Sequence, residues 1–187
     1  MSSELQLGKR ARTRATLITI AFELFREKGI VRTSLEEVAT RAGMTKGAVY
    51  SSFRSKQELV AAVMEAESLE IQPAFRPGMS EREIYRAVGE AVVAMMPTVH
   101  AHGALVVEFH LYAITHEALR PWLSAAYAKA FQGVIGQVTD LNPDRPAPPH
   151  HKILTVQALI LGLVQQRLLT PELVSDEEIM AVFEGLA

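Results

Sequence analysis

The stretch that decides the fold is residues 33–59, TSLEEVATRAGMTKGAVYSSFRSKQEL. Ser34, with Glu37 three residues later, is typical of a helix N-terminus, and apolar residues then recur at helical spacing. Gly43 ends this helix, and Thr45 is a suitable N-cap for a second short helix over about 46–52. Two short helices joined by a turn of three to four residues predict a helix-turn-helix.

The exposed side of the second helix has a composition that suits DNA. It is small, polar and basic, so it would fit a major groove, and we expect no bulky acidic residue there. Packing alone would be the simpler role for such a motif. We call this set the recognition surface, and it consists of Thr45, Lys46, Gly47, Ala48, Tyr50 and Ser51.

Over about residues 12–64 the chain resembles the tetracycline-repressor (TetR) family of transcriptional regulators. The resemblance implies base-edge and phosphate contacts from Lys46 and its neighbours, and phosphate contacts from Ser34, Tyr50 and Lys56. At Ser52 the family more often has histidine or another ring. The resemblance rests on the pattern Ala21-Phe22-x-Leu24-Phe25-x-x-x-Gly29, then Thr33-Ser34-x-x-x-Val38-Ala39-x-x-Ala42-Gly43-Met44-Thr45-Lys46-Gly47-Ala48-Val49-Tyr50-x-x-Phe53-x-x-Lys56-x-x-Leu59.

Length and composition narrow the class of protein. A chain of 187 residues with 49% hydrophobic content can bury a sizeable core in one large or two small domains. It has no cysteine, which excludes disulfides, thiol catalysis and cysteine-zinc sites. Polar residues interrupt the most apolar run, and the N-terminus lacks the apolar segment of a signal peptide. We therefore expect a cytoplasmic protein that does not span a membrane.

The charge is distributed unevenly between the two parts of the chain. Residues 1–56 hold eleven Lys or Arg against five Asp or Glu, whereas residues 57–187 hold eight against sixteen. A basic segment with a helix-turn-helix suits a polyanion. We expect residues 1–8 to be disordered, and a basic arm of Lys9, Arg10, Arg12 and Arg14 to enter a minor groove or touch phosphates. A flexible, solvated terminus is the alternative for this arm.

Helical periodicity continues through the rest of the chain. We expect a first helix ending at about Lys28, a long helix from Ser55 that could reach Ile71, and one from Ser80 that stops by Pro97. Further helices follow over about 103–117, from Pro121 to about Val138, from Ile153 to Leu169, and from Ser175 to the C-terminus. Residues 142–149, NPDRPAPP, predict an irregular loop.

The central helices contain many methionine and aromatic residues. Such a set is by default a hydrophobic core, and it is a cavity lining only by resemblance to the family. With His110 and Glu108 as nearby polar groups, we expect a small apolar or aromatic effector. The candidate ligand-binding residues are Met95, Met96, Phe109, His110, Tyr112, Trp122 and Phe131.

The predicted helix over 153–169 is apolar around most of its circumference. It must be buried on more than one side, so one side would pack on its own core and another on a second copy of the chain. Together with the last helix it is similar to the two-helix dimer face of the family. The candidate interface residues are Ile153, Val156, Ile160, Gly162, Leu163, Arg167, Ile179 and Phe183.

The six histidines do not have the spacing of a metal site, since no pair stands at i, i+4 and no HExxH motif occurs. We expect no metal, no cofactor and no enzymatic activity. The sequence predicts an all-α homodimer: residues 1–56 bind a palindromic DNA operator, and residues 57–187 bind an effector and dimerise. A ligand-responsive repressor is the favoured function. The alternatives are a helical small-molecule or metal carrier with a vestigial helix-turn-helix and an enzyme that uses histidine and glutamate.

Overall fold

A computed structural model describes residues 2–67, 71–144 and 146–187 of the chain, and their regular structure is entirely helical. This confirms the predicted all-α class. A short 3₁₀ helix, Glu117–Leu119, leads directly into the sixth α-helix. The α-helices are α1 (Ser2–Lys28), α2 (Leu35–Arg41), α3 (Lys46–Ser52), α4 (Lys56–Ala66), α5 (Glu81–Thr115), α6 (Arg120–Leu141), α7 (His150–Leu169) and α8 (Asp176–Glu184).

The predicted caps of the short helices are present. The hydroxyl oxygens of Ser34, Thr45 and Ser55 each accept a hydrogen bond from the backbone N–H three residues later, at 3.2 Å. These bonds satisfy amide donors that have no partner within a helix. Gly43 has a φ of +63°, a conformation that few other residues adopt readily, so the turn between α2 and α3 has the predicted chemistry.

The structure divides into two compact units. Unit 1 combines the described residues up to the end of α4 with Leu105–Leu123, and unit 2 contains the other described residues. The C-terminal part of α5 therefore belongs to the unit that contains the helix-turn-helix. The division at residue 56 inferred from charge is a different kind of boundary and stays a prediction.

Unit 1 is built around one hydrophobic core. Leu17, Leu24, Val49 and Phe53 have at most 1% of their surface exposed, so α1 packs directly against α3. Phe109, Tyr112 and other apolar residues of α5 join the same core. Burial of these side chains compensates for the poor intrinsic stability of two seven-residue helices.

Unit 2 has a separate core formed by α5, α7 and α8. Val92, Val99, Ile179 and Phe183 are fully buried in it. At Gly89, an added Cβ atom would lie 3.1 Å from the Met180 sulfur and 3.2 Å from the Phe183 Cβ atom. The missing side chain thus lets α5 and α8 approach closely.

Pro97 does not end a helix, which corrects one expectation. α5 continues through it to Thr115 and includes the helix predicted separately over 103–117. Proline removes one backbone hydrogen bond and crowds the preceding turn. Met96 and Val99 are nevertheless buried in the same core of unit 2, so packing on both sides of the proline holds the helix.

Two other helix ends differ from expectation. α1 begins at Ser2, so the expectation that residues 1–8 are disordered is wrong for residues 2–8, while residue 1 lies outside the described part of the chain; glutamate, leucine and glutamine in residues 2–8 favour the helix. α4 ends at Ala66 and is capped by Glu67, whereas the sequence allowed it to reach Ile71. Ile71 lies in irregular structure, and residues 68–70 are outside the described part of the chain.

Candidate nucleic-acid interface

The helix-turn-helix holds α3 by a buried side and leaves its other sides open. Val49 and Phe53 are 0% exposed, and the Met44 N–H donates to the Ala39 carbonyl at 2.9 Å across the turn. The predicted recognition surface lies on the open sides. Thr45, Lys46, Gly47, Tyr50 and Ser51 are exposed, whereas Ala48 is half-buried.

α3 itself carries no acidic residue, as expected, but an acidic side chain of α2 flanks this surface. The Tyr50 hydroxyl donates to Glu36 Oε1 at 3.1 Å, and the Lys46 ammonium lies 3.9 Å from the same oxygen. Glu36 is on α2, so residue spacing within α3 gives no signal of its presence. Its backbone amide and then the Tyr50 hydroxyl lower the pKa of Glu36, and the Glu36 carboxylate raises the pKa of Tyr50.

Arg14 is engaged inside the protein. One guanidinium nitrogen donates to the Ser52 carbonyl at 2.9 Å, and the guanidinium carbon lies 4.2 Å from the centre of the Phe53 ring. The Glu58 carboxylate is 3.9 Å away. A cation at the C-terminus of α3 also interacts favourably with the helix dipole. Arg14 thus ties α1 to the end of the recognition helix, while Arg12 is exposed to solvent.

Lys56 is also held by its own unit. Its ammonium donates to the Val31 carbonyl at 2.9 Å and lies 5.6 Å from the centre of the Tyr112 ring. Burial lowers the pKa of Lys56, and the Glu108 carboxylate opposes that shift. Ser34, the remaining predicted phosphate contact, is exposed and its oxygen caps α2. The contacts of these residues with DNA stay predictions.

The predicted ligand-binding residues fall into both units. Phe109 and Tyr112 are nearly fully buried in the core of unit 1, where Trp122 meets Phe109 edge to face at 5.7 Å between ring centres. Burial lowers the pKa of His110. Met95, Met96 and Phe131 belong to unit 2, and Phe131 contacts His150 at 5.6 Å.

Glu108, the other expected polar group of the ligand site, is used within unit 1. Its carboxylate accepts hydrogen bonds from the backbone N–H groups of Ile30 and Val31, at the turn after α1. No pattern in the sequence connects residues that are almost eighty positions apart. The described residues include no group of three or more metal-ligating side chains at one place.

Most of the predicted dimer residues pack within their own chain. Ile153, Leu163, Ile179 and Phe183 are buried, Val156 and Ile160 pack against the same core, and Gly162 is exposed. Arg167 donates to the Val174 carbonyl and pairs with Asp176. The open side of α7, which we call its outer face, carries Leu154, Ala158, Leu161, Gly162 and Leu169.

α7 is also long and apolar enough to cross a membrane when judged by length and composition alone, and only 17% of its most apolar window is buried in this chain. Core helices of soluble proteins meet the same test.

Comparison with known proteins agrees with the helix-turn-helix. Residues 17–63 match the family described as bacterial regulatory proteins, tetR family. The uncharacterized HTH-type transcriptional regulator TtgW of Pseudomonas putida is 35% identical over 89 residues, which cover 48% of this chain and 64% of that protein. The chain thus spans less than two thirds of the length of this curated relative.

Solved structures show that the fold extends beyond the matched domain. The multidrug binding protein EbrR, complexed with imidazole, superposes with a TM-score of 0.71 and 22% identity over 92% of this chain and 88% of its own. NalD is the secondary repressor of the MexAB-OprM multidrug efflux pump in Pseudomonas aeruginosa. It superposes with a TM-score of 0.57 and 25% sequence identity over 94% of each chain. Residues 17–63 are thus similar to the helix-turn-helix domain of the tetR family, and the fold of the chain is similar to that of EbrR and NalD.

Proposed function

We propose that this regulator binds a palindromic operator as a homodimer in the cytoplasm, represses transcription, and is released by a small, largely apolar effector. The observation that carries the proposal is the recognition surface: α3 is fixed by buried Val49 and Phe53, while its small and basic residues face outward. A rigid helix with an accessible outer side is what entry into a major groove requires.

The proposed homodimer is supported by the exposed apolar residues on the outer face of α7. Leu154, Leu161 and Leu169 are 50%, 40% and 71% exposed, and an added Cβ atom at Gly162 would meet nothing within 4 Å. A row of exposed leucines beside an open glycine suits close packing against the same helix of a second copy. Twofold pairing would then present two recognition helices to half-sites about 34 Å apart, or a multiple of that distance.

The proposed class of effector is supported by the composition of the candidate binding residues and by the ligands of a similar protein. EbrR is described as a multidrug binding protein and has been crystallised with imidazole and with ethidium, both ring compounds. In this chain, the residues proposed to bind the effector are mostly aromatic or methionine, and His110 would supply a polar contact. Arginine and lysine are absent from that set, which disfavours multiply anionic compounds.

The DNA part of the proposal is tested by exposing the purified full chain to sheared genomic DNA and sequencing the fragments it retains. We expect enrichment of fragments that share an inverted repeat. Retention of fragments without any shared sequence would contradict an operator-binding function.

Effector binding can be followed by intrinsic fluorescence, because Trp122 is the single tryptophan of the chain. Ring compounds such as ethidium or imidazole are added to the DNA-free protein while Trp122 fluorescence is recorded. We expect saturable changes, and the retained operator fragment should weaken the binding of an effector by the same factor as the effector weakens operator binding. Equal effector affinity with and without operator would contradict release by an effector.

A further inference from the structure

A groove of about 340 Å³ runs beside the recognition helix, between α1 and α3. On α1 its lining residues are neighbours or one turn apart, and on α3 they share one side of the helix. All six are polar, basic or small, and none is acidic. They are Lys9, Arg10 and Thr13 from α1, and Ala48, Ser51 and Ser52 from α3.

The position of this groove follows from the rotation of about 100° per residue along α3. With Val49 directed into the core, Gly47 and Ser51 lie on the opposite, outermost edge. Lys46 and Tyr50 occupy one flank of this edge, where Glu36 from α2 contacts them. Ala48 and Ser52 turn toward the other flank, which α1 borders with Lys9 and Arg10.

The two flanks therefore differ in charge. On the α2 flank, the Lys46 ammonium faces a carboxylate, and Arg14 and Lys56 are hydrogen-bonded to backbone carbonyls elsewhere in unit 1. Lys9 and Arg10 are exposed, and none of the carboxylates described with side chains forms an ion pair with them. Among the side chains that the structure describes, these two cations of the groove have no ion-pair partner.

We propose that this groove binds a backbone phosphate of the operator, with Lys9 and Arg10 as its cationic ligands. A phosphodiester is the group that DNA places beside a helix inserted in its major groove, and its charge complements that of the groove. Ser51 and Ser52 now donate to the Ala48 carbonyl, and rotation of either hydroxyl would direct its proton to the phosphate. The proposal rests on the DNA-binding function proposed above.

The arrangement gives Arg14 a separate role. It fixes the C-terminal end of α3 through the Ser52 carbonyl and the Phe53 ring, and so sets the wall of the groove. Arg14 is then a positioning residue, and Lys9 and Arg10 are the phosphate ligands. If the basic residues of α1 contributed only a diffuse positive charge, Arg14 would not have a role different from that of Lys9 and Arg10.

The test compares the full chain with the double variant Lys9→Gln/Arg10→Gln in binding to one retained genomic fragment at several salt concentrations. The matched control is Arg82→Gln/Lys129→Gln, which removes the same two charges from exposed positions in unit 2. Because the proposed homodimer has two such grooves, loss of one phosphate contact in each should flatten the slope of log K against log salt by about 1.8. The control should leave the slope unchanged.

The bound phosphate is located by replacing single phosphates of the fragment with uncharged methylphosphonates. We expect one or two positions per half-site at which neutralisation weakens the wild type and the control at least fivefold but leaves the double variant unaffected. If every methylphosphonate weakens the double variant as much as the wild type, the groove binds no phosphate, although the operator-binding function stands. If the wild type shows no preference for any fragment, the function and the groove assignment both fall.

Discussion

Glu108 of α5 binds the backbone of the turn that follows α1: its Oε1 atom accepts from the Ile30 N–H at 2.7 Å and from the Val31 N–H at 3.3 Å. The carboxylate lies against Gly29, where an added Cβ atom would come within 2.9 Å of it. Gly29 has a φ of +90°, so a side chain there would be strained as well as crowded. This contact joins the C-terminal part of α5 to the helices that carry the DNA-binding motif, within unit 1.

Glu108→Ala should therefore destabilise the protein. It leaves the Ile30 and Val31 N–H groups without their acceptor, at a cost of about 1–3 kcal/mol. Glu108→Gln keeps an acceptor oxygen and should cost less. The measurement is urea unfolding of the full chain, with exposed Glu65→Gln as the control. An unchanged midpoint for Glu108→Ala would contradict a structural role for this contact.

His110 should make the stability of the protein fall as the pH drops through the ordinary histidine pKa of about 6.5. Burial lowers the pKa of His110, and its hydrogen bond with the Val106 backbone opposes the shift. The unfolded chain, with a histidine pKa of about 6.5, therefore binds the proton first as pH falls, and the folded state loses stability until the lowered pKa is passed.

The measurement is the melting temperature at pH 7.5 and at pH 5.5. It should fall more in the wild type than in His110→Gln. Glu27, Glu36 and Glu83 do not interfere, because their pKa values lie below 4.5 and their stabilising contribution is lost only at more acidic pH. An identical pH dependence in wild type and variant would show that His110 is not the responsible group.

Glu36→Gln should strengthen DNA binding. The substitution removes a negative charge beside Lys46 and Tyr50, so both side chains become available to phosphates and bases. Exposed ion pairs are weak, and we expect a gain of about two- to fivefold at low salt. Fluorescence anisotropy with a retained fragment measures it, and Glu65→Gln is again the control. Weaker binding by Glu36→Gln would indicate that the carboxylate itself contacts a base.

Leu161→Glu and Gly162→Arg should convert the proposed dimer to monomers, because both place a charge on the outer face of α7 without disturbing the core. Leu163→Glu is a poor test, since Leu163 is buried in its own chain and the variant would unfold. Light scattering at micromolar concentration gives the mass. If the wild type already has the mass of one chain, the proposed dimer is contradicted.

The sequence predicted the helix-turn-helix closely because its determinants are local. The hydroxyls that cap α2, α3 and α4, and the glycine between α2 and α3, act within three or four residues of themselves. Helical periodicity likewise indicated the buried side of α2 and α8, but not that of α7, which is apolar around most of its circumference. Pro97 shows the limit of local rules, because side chains packed in the core of unit 2 decide whether the helix continues past it.

The partners of the charged groups around α3 within the chain were not predicted. Lys46, Lys56 and Arg14 are expected to contact DNA, which stays a prediction, and in the structure their partners are Glu36, the Val31 carbonyl and the Ser52 carbonyl. Each partner lies on another element, at a separation that no periodicity marks. For the same reason, the contact of Glu108 with the turn after α1 could not be predicted from the sequence. The groove lined by Lys9 and Arg10 likewise depends on how α1 packs against α3.

The central claim, sequence-specific DNA binding through the outer side of α3, is tested most directly by one affinity ratio. The full chain is titrated at 150 mM salt against a retained genomic fragment and against a duplex of the same composition in scrambled order. We predict that the wild type prefers the retained fragment by about 10³-fold or more. The change Lys46→Gln, which leaves the buried side of α3 intact, should reduce that preference. Equal affinity of the wild type for both duplexes would contradict the account.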